Sequence, residues 1–145
     1  APVFVGVGGG ITTGQRSIDI AINAELTGAY GVVMNAPTPN ELISEMKERL
    51  DIPIIITIVS EKEDYESRIK AGASIFNVSG GAKTINIVRR IREKHPYFPI
   101  IATGGPTPEN IKSTIQAGAN TITFTPPTTG ELFSEIMDSY REKMF

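Results

Sequence analysis

The amino-acid sequence predicts a parallel α/β domain built from repeated strand–helix units, and three observations lead to this prediction. Short β-branched runs bounded by Gly and Pro alternate with stretches that have helical periodicity. The strand-like runs, above all IIITIV at Ile54–Val59, are almost continuously apolar, so we expect a parallel sheet with helices covering both faces. Thr-Pro pairs precede two of the helices and Gly follows others, which are typical start and stop signals.

Six strands and six helices follow from these signals. The strands are predicted at Val3–Val7, Gly31–Asn35, Ile54–Val59, Ser74–Val78, Ile100–Thr103 and Thr121–Thr125. The helices are predicted at Arg16–Leu26, Pro39–Leu50, Glu61–Ala71, Ala82–Lys94, Pro108–Ala117 and Gly130–Met144. Thr38 and Thr107 are expected to cap the helices that begin at Pro39 and Pro108.

The sequence also contains an internal repeat. The segment Pro53–Asn77 aligns without a gap onto Pro99–Thr123, and the triplet Ala-Gly-Ala recurs at Ala71–Ala73 and Ala117–Ala119. The period spans two strand–helix units, as expected if a βαβα piece had been duplicated.

Length and composition exclude several classes of protein. The 145 residues are enough for one domain, residues 1–145, and the absence of an initiator Met before an apolar run predicts a segment of a longer chain. The net charge of −2 creates no basic field for nucleic acid or an anionic membrane. Without Cys and with one His, we expect neither a disulfide framework nor a metal site. The lack of a signal peptide and of a membrane-length apolar run predicts a cytoplasmic protein.

Two arrangements of the strands remain open. A closed eight-stranded barrel needs at least about 200 residues, so six units do not close one. The first arrangement is an open doubly wound sheet, flavodoxin-like, with five to six βα units. The alternative is a partial barrel that a second copy completes, because an unpaired strand edge invites association. The open edges and the terminal Phe145 permit a homodimer.

Glycine-rich turns follow three of the predicted strands. Ligands of parallel α/β sheets bind beyond the carboxyl ends of the strands, where Gly exposes backbone N–H groups and the following helix contributes its positive end. Ser and Thr hydroxyls add donors, whereas acidic residues are nearly absent from these turns, so no catalytic residue is assigned. The residues predicted to bind a phosphate are Gly8, Gly9, Gly10, Thr12, Ser79, Gly80, Gly81, Lys83, Thr103, Gly104 and Gly105.

One of these turns carries a resemblance to known families. The stretch ATGGPTPENI at Ala102–Ile111, followed by AGAN at Ala117–Asn120, resembles the late strand-loop-helix of phosphate-binding TIM barrels such as ketodeoxyphosphogluconate aldolase and thiamine-phosphate synthase. The resemblance implies that Gly104 and Gly105 hold a phosphate. The strand Ser74–Val78 lacks the Schiff-base Lys of the aldolase, so the resemblance does not extend to aldolase chemistry. The whole chain is similar in character to sequences that bridge the flavodoxin-like and barrel folds.

Three functions are compatible with these features. The first is a binding domain for a phosphorylated metabolite or nucleotide. The second is a lyase, aldolase or synthase of the phosphate-binding barrel type that is active only in a longer chain or an oligomer. The third is a module for flavin or cobalamin. The sequence does not identify the cofactor or the ligand.

Overall fold

The computed structural model describes residues 1–144, so Phe145 and the part predicted for it in a homodimer lie outside the described residues. Strands and helices alternate along this range. The strands are β1 (Phe4–Gly8), β2 (Gly31–Met34), β3 (Ile54–Ile58), β4 (Ile75–Val78), β5 (Ile100–Thr103) and β6 (Thr121–Thr123). The helices are α1 (Gln15–Leu26), α2 (Asn40–Arg49), α3 (Tyr65–Ala71), α4 (Thr84–Lys94), α5 (Pro108–Gln116) and α6 (Thr129–Met144), with a 3-10 turn at Gly81–Lys83.

The strand order distinguishes the two predicted arrangements. The strands form one parallel sheet in the order β1-β2-β3-β4-β5-β6. Each strand therefore pairs with the strand that follows it in the chain, and the sheet grows at one edge. A doubly wound, flavodoxin-like sheet needs a reversal of strand order at a switch point, which this order lacks over residues 1–144. The parallel α/β class is confirmed, and the arrangement is the partial barrel rather than the doubly wound sheet.

The main core lies between the sheet and the helices, on one face of the sheet. Right-handed crossovers in a sheet of sequential order place successive helices on the same face, so the prediction of helices on both faces is wrong. Ile54, Ile56 and Ile58 belong to the core cluster. Ile55 is also buried but lies outside that cluster, in register with residues of the two neighbouring strands. The second apolar face of β3 therefore lines the inside of the curled sheet.

The two predicted threonine caps have different outcomes. The Thr107 hydroxyl accepts a hydrogen bond from the Asn110 N–H at 3.2 Å, which confirms it as the N-cap of α5. Thr38 does not cap α2, because its hydroxyl donates to the carbonyl of Asn35 at 2.7 Å and Pro39 occupies the N-cap position.

The segments of the internal repeat form equivalent elements. Pro53–Asn77 contains β3, α3 and most of β4, and Pro99–Thr123 contains β5, α5 and β6. Helix α3 begins at Tyr65, later than predicted, because the Asp64 carboxylate accepts a hydrogen bond from the Ser67 N–H at 3.2 Å and caps the helix there.

Tyr65 buries a hydroxyl that has no hydrogen-bond partner among residues 1–144. Its ring packs against Phe76 with the ring centroids 6.1 Å apart. Burial raises the pKa of the Tyr65 hydroxyl above its usual value of 10.0, and the positive charge of Arg90 opposes this effect. The folded state therefore favours the neutral hydroxyl.

Replacing Tyr65 with phenylalanine is expected to raise the free energy of unfolding by about 1 kcal/mol, because it removes a buried, unpaired polar group. Because the pKa of Tyr65 is raised in the folded state, its titration leaves the stability unchanged below pH 10.0 and lowers the stability as the pH rises above that value. In urea unfolding, the free energy of unfolding of the variant should therefore fall less above pH 10.0 than that of the parent protein. Tyr97→Phe, at a side chain that is 95% exposed, is the control and should change neither quantity. A Tyr65→Phe protein less stable than the parent would contradict the interpretation.

Candidate phosphate site

The carboxyl ends of β4 and β5 border a cavity of about 360 Å³. These strands are neighbours in the sheet, so the turns that follow them lie side by side. The lining residues come from the turn after β4, the turn after β5 and the first turns of α4 and α5. They are Gly81, Ala82, Thr84, Ile85, Thr103, Gly104, Gly105, Pro106, Asn110 and Thr114.

Three backbone donors of this cavity are unused by the fold. Within the described chain, residues 1–144, the N–H groups of Gly81, Ala82 and Gly105 donate to no other group of the protein. Two of them belong to the turn after β4 and the third to the turn after β5. Backbone N–H groups that converge on a concave surface are the usual ligands of phosphate oxygens.

The electrostatic surroundings of the cavity favour an anion. Helices α4 and α5 both begin at its rim, and the N-terminus of a helix carries a partial positive charge. The α5 terminus is capped by Thr107, whereas α4 has no side-chain cap in the described part of the chain. No acidic or basic side chain is among the described lining residues, so no fixed negative charge opposes an anion there.

Glycine is required in both turns by conformation or by close approach. Gly81 and Gly105 adopt φ of 59° and 79°, a region that L side chains rarely occupy. A Cβ atom at Gly104 would lie 2.4 Å from the Cγ2 of Ile122. The Gly80 N–H donates to the buried Thr84 hydroxyl at 3.0 Å, which fixes the turn after β4. The two turns are therefore held in place by the fold.

Of the remaining predicted residues of these two turns, Thr103 lines the cavity, whereas Ser79, Gly80 and Lys83 do not. The Thr103 hydroxyl donates to the Ser79 hydroxyl at 3.3 Å, which links the ends of β5 and β4. Lys83 is exposed at the end of the 3-10 turn and is not a lining residue.

The turn after β1 is not part of this cavity. Strands β2 and β3 separate β1 from β4 in the sheet, and two N–H groups of the turn are engaged by the fold. The Gly9 N–H donates to the Thr12 carbonyl at 2.7 Å, and the Gly10 N–H donates to the Pro37 carbonyl at 3.1 Å. A Cβ atom at Gly8 would lie 2.2 Å from the Ser17 hydroxyl. Close packing accounts for Gly8 and Gly9, and the φ of 64° accounts for Gly10. No residue of this turn lines the cavity.

Sequence reasoning missed six of the lining residues, namely Ala82, Thr84, Ile85, Pro106, Asn110 and Thr114. Ala82 supplies a free N–H group from a residue type without a polar side chain, so it gave no signal. Asn110 and Thr114 lie one turn apart on α5, and the Thr114 hydroxyl donates to the Asn110 carbonyl at 2.7 Å. Their place in the first turns of a helix after a Gly-Gly pair was the available signal.

Metal-ligand clusters and membrane-spanning helices are both absent from residues 1–144. No group of three or more His, Cys, Asp or Glu side chains in this range is placed to hold a metal ion. None of the helices in the same range has both the length and the apolar character needed to cross a membrane.

Comparison of the sequence with models of known protein families and with curated proteins finds no match. Comparison of the fold with solved structures finds barrel enzymes. Inosine 5′-monophosphate dehydrogenase from Legionella pneumophila superposes with a TM-score of 0.68 and 16% sequence identity, over 86% of this chain and 43% of that chain. A single-site mutant of mandelate oxidase, solved with a monooxide FMN adduct, superposes with a TM-score of 0.64 and 18% identity, over 75% of this chain and 44% of that chain.

These comparisons define the class of the fold. The six sequential parallel strands and their helices correspond to part of a TIM barrel. The chain spans less than half the length of each of the two solved structures. At these identities the likeness concerns the fold alone.

Proposed function

We propose that the cavity between the β4–α4 and β5–α5 turns binds the phosphate group of a small phosphorylated molecule. The observation that carries the proposal is that Gly81, Ala82 and Gly105 line one cavity and have N–H groups without a partner in the described chain. The uncapped start of α4 supports it, since a helix N-terminus stabilises an anion by about 0.3–1 kcal/mol. The volume of about 360 Å³ is within the range of small-molecule sites.

The comparisons suggest which phosphorylated molecules to test first. One neighbour is named for inosine 5′-monophosphate, and the other was solved with an FMN adduct. Both compounds carry a phosphate monoester. A flavin module is the second candidate function, favoured by the FMN-containing neighbour. In either case the proposal concerns binding, with the phosphate held by the backbone donors.

Replacing Ala82 with aspartate is expected to weaken phosphate binding by at least about tenfold, because it adds a negative charge at the cavity rim. Ala82 is exposed in the 3-10 turn and is not a glycine, so the change does not require a positive φ. Ala82→Asn is the matched control, with nearly the same shape and no charge, and it should retain affinity within about threefold. Binding is measured by calorimetry and by thermal shift with inorganic phosphate. A ligand at about 100 times its dissociation constant adds roughly 2.7 kcal/mol of stability.

Inosine 5′-monophosphate and FMN are then compared with inosine and riboflavin, which lack the phosphate. Stronger binding of a phosphorylated compound than of its parent, lost in Ala82→Asp and kept in Ala82→Asn, would support the site. Equal loss in both variants would show that bulk rather than charge matters and would contradict an anion site. No binding of any of these compounds by the parent protein would overturn the proposal.

A further inference from the structure

Four polar side chains are among the described residues that line the candidate phosphate cavity, and three of them are engaged by the fold. The hydroxyls of Thr84, Thr103 and Thr114 each form a hydrogen bond with another residue of the protein. The fourth polar side chain is the amide of Asn110. The hydrogen bonds of Asn110 within residues 1–144 involve its backbone N–H and carbonyl, so its side chain is left for another partner.

Asn110 occupies a helix position that often has a purely local role. It is the third residue of α5 and follows the cap residue Thr107 by three positions. In a capping box, the side chain at this position accepts a hydrogen bond from the N–H of the cap residue. In the described chain the Thr107 hydroxyl accepts a bond from the Asn110 N–H at 3.2 Å, but the Asn110 amide returns none. Helix capping therefore does not account for this amide.

The Asn110 amide lies against the turn that follows β5. A Cβ atom at Gly105 would lie 3.1 Å from the Cβ atom of Asn110 and 3.2 Å from its Nδ2 atom. The N–H group of Gly105 is one of the backbone donors without a partner in residues 1–144. Because Gly105 has no side chain, the amide has room beside this free donor, and the exposed Asn110 side chain is open to a ligand.

The two halves of an amide need different partners. The Nδ2 group of Asn110 is a donor and the Oδ1 atom is an acceptor. An ionised phosphate group offers acceptor oxygens, so it satisfies Nδ2 and leaves Oδ1 without a partner. The ligand must then supply a donor from outside the phosphate group. A neutral hydroxyl suits this place better than an ammonium group, since the helix start at the cavity rim is partially positive.

We propose that Asn110 is a specificity-determining residue that selects phosphate monoesters with a hydroxyl group near the phosphate. The Nδ2 group donates to a phosphate oxygen beside Gly105, and Oδ1 accepts a hydrogen bond from the ligand hydroxyl. The substrate class is therefore phosphorylated polyols and sugars rather than simple alkyl phosphates. This inference rests on the proposed phosphate site.

The test compares glycerol 3-phosphate with propyl phosphate, which has the same number of carbon atoms and no hydroxyl group. Both are titrated by calorimetry into the 145-residue chain, with inorganic phosphate as the reference. The parent protein should bind glycerol 3-phosphate about fivefold more tightly, the effect of one net hydrogen bond.

Asn110→Leu has a side chain of similar size without polar atoms, and Asn110→Ala removes the same groups without adding bulk. In both variants the two esters should bind with affinities within about twofold of each other. Inorganic phosphate should still bind, because the backbone donors remain. Glu109→Leu is the matched control, since Glu109 is exposed in the same turn of α5 and does not line the cavity. It should keep the preference of the parent.

The outcomes separate this inference from the proposed function. A parent protein that binds inorganic phosphate but does not prefer glycerol 3-phosphate would overturn the inference and leave the phosphate site in place. A preference that persists in both Asn110 variants, or that Glu109→Leu also removes, would overturn the assignment to Asn110. A parent protein that binds none of the three compounds would overturn the phosphate site itself. Circular dichroism of each variant establishes that it is folded.

Discussion

Replacing Phe76 with alanine is expected to lower the free energy of unfolding by about 3–5 kcal/mol. Phe76 is fully buried in β4, and its ring centroid lies 4.5 Å from that of Phe98 and 6.1 Å from that of Tyr65. The substitution removes an aromatic side chain from a site that strands β3 and β5 enclose on either side, so the cavity has little means of collapsing.

Urea unfolding measures this loss of stability. Phe124→Ala is the matched control, because Phe124 is 63% exposed just after β6. It should cost less than about 0.5 kcal/mol. A loss below about 1 kcal/mol for Phe76→Ala would show that β4 does not lie at the centre of the core as described.

Replacing Gly9 with alanine is expected to cost about 3 kcal/mol of stability and to leave phosphate affinity unchanged. A Cβ atom there would lie 2.0 Å from the carbonyl oxygen of Asn35, a backbone atom that cannot move aside cheaply. Gly9 also adopts φ of 109°, which adds strain for any L side chain.

Gly10→Ala distinguishes the cost of the steric clash from the cost of the positive φ. Gly10 adopts φ of 64°, but the nearest atom to a Cβ atom there is 4.0 Å away, so only the conformational cost of about 1–2 kcal/mol applies. The measurements are urea unfolding and calorimetry with inorganic phosphate on both variants. Loss of phosphate binding in folded Gly9→Ala protein would show that the turn after β1 takes part in phosphate binding.

Most of the helices and strands could be predicted from the sequence because their signals are local. The apolar run at β3, the Thr107 cap of α5 and the alternation of periods each depend on residues a few positions apart. The errors arose where a local signal had a competitor. The Thr38 hydroxyl bonds the Asn35 carbonyl instead of capping α2, and the Asp64 cap shortens α3.

The candidate site was predictable only in part. The turns at Ser79–Gly81 and Thr103–Gly105 are adjacent in the structure, as the proposed site requires. The turn at Gly8–Gly10 is also rich in glycine, yet Gly8 and Gly9 are required there by close approach to Ser17 and Asn35. Composition alone does not separate a glycine that exposes a donor from a glycine that makes room for a neighbouring atom.

Local periodicity, caps and glycine-rich turns in the chain are thus sufficient to establish a parallel α/β protein of six strand–helix units. They do not establish the order of the strands, because pairing joins residues that are far apart along the chain, as Asn77 of β4 joins Ile101 of β5. That order decides between a doubly wound sheet and part of a barrel. It also decides which turns become neighbours, and therefore which residues line the cavity.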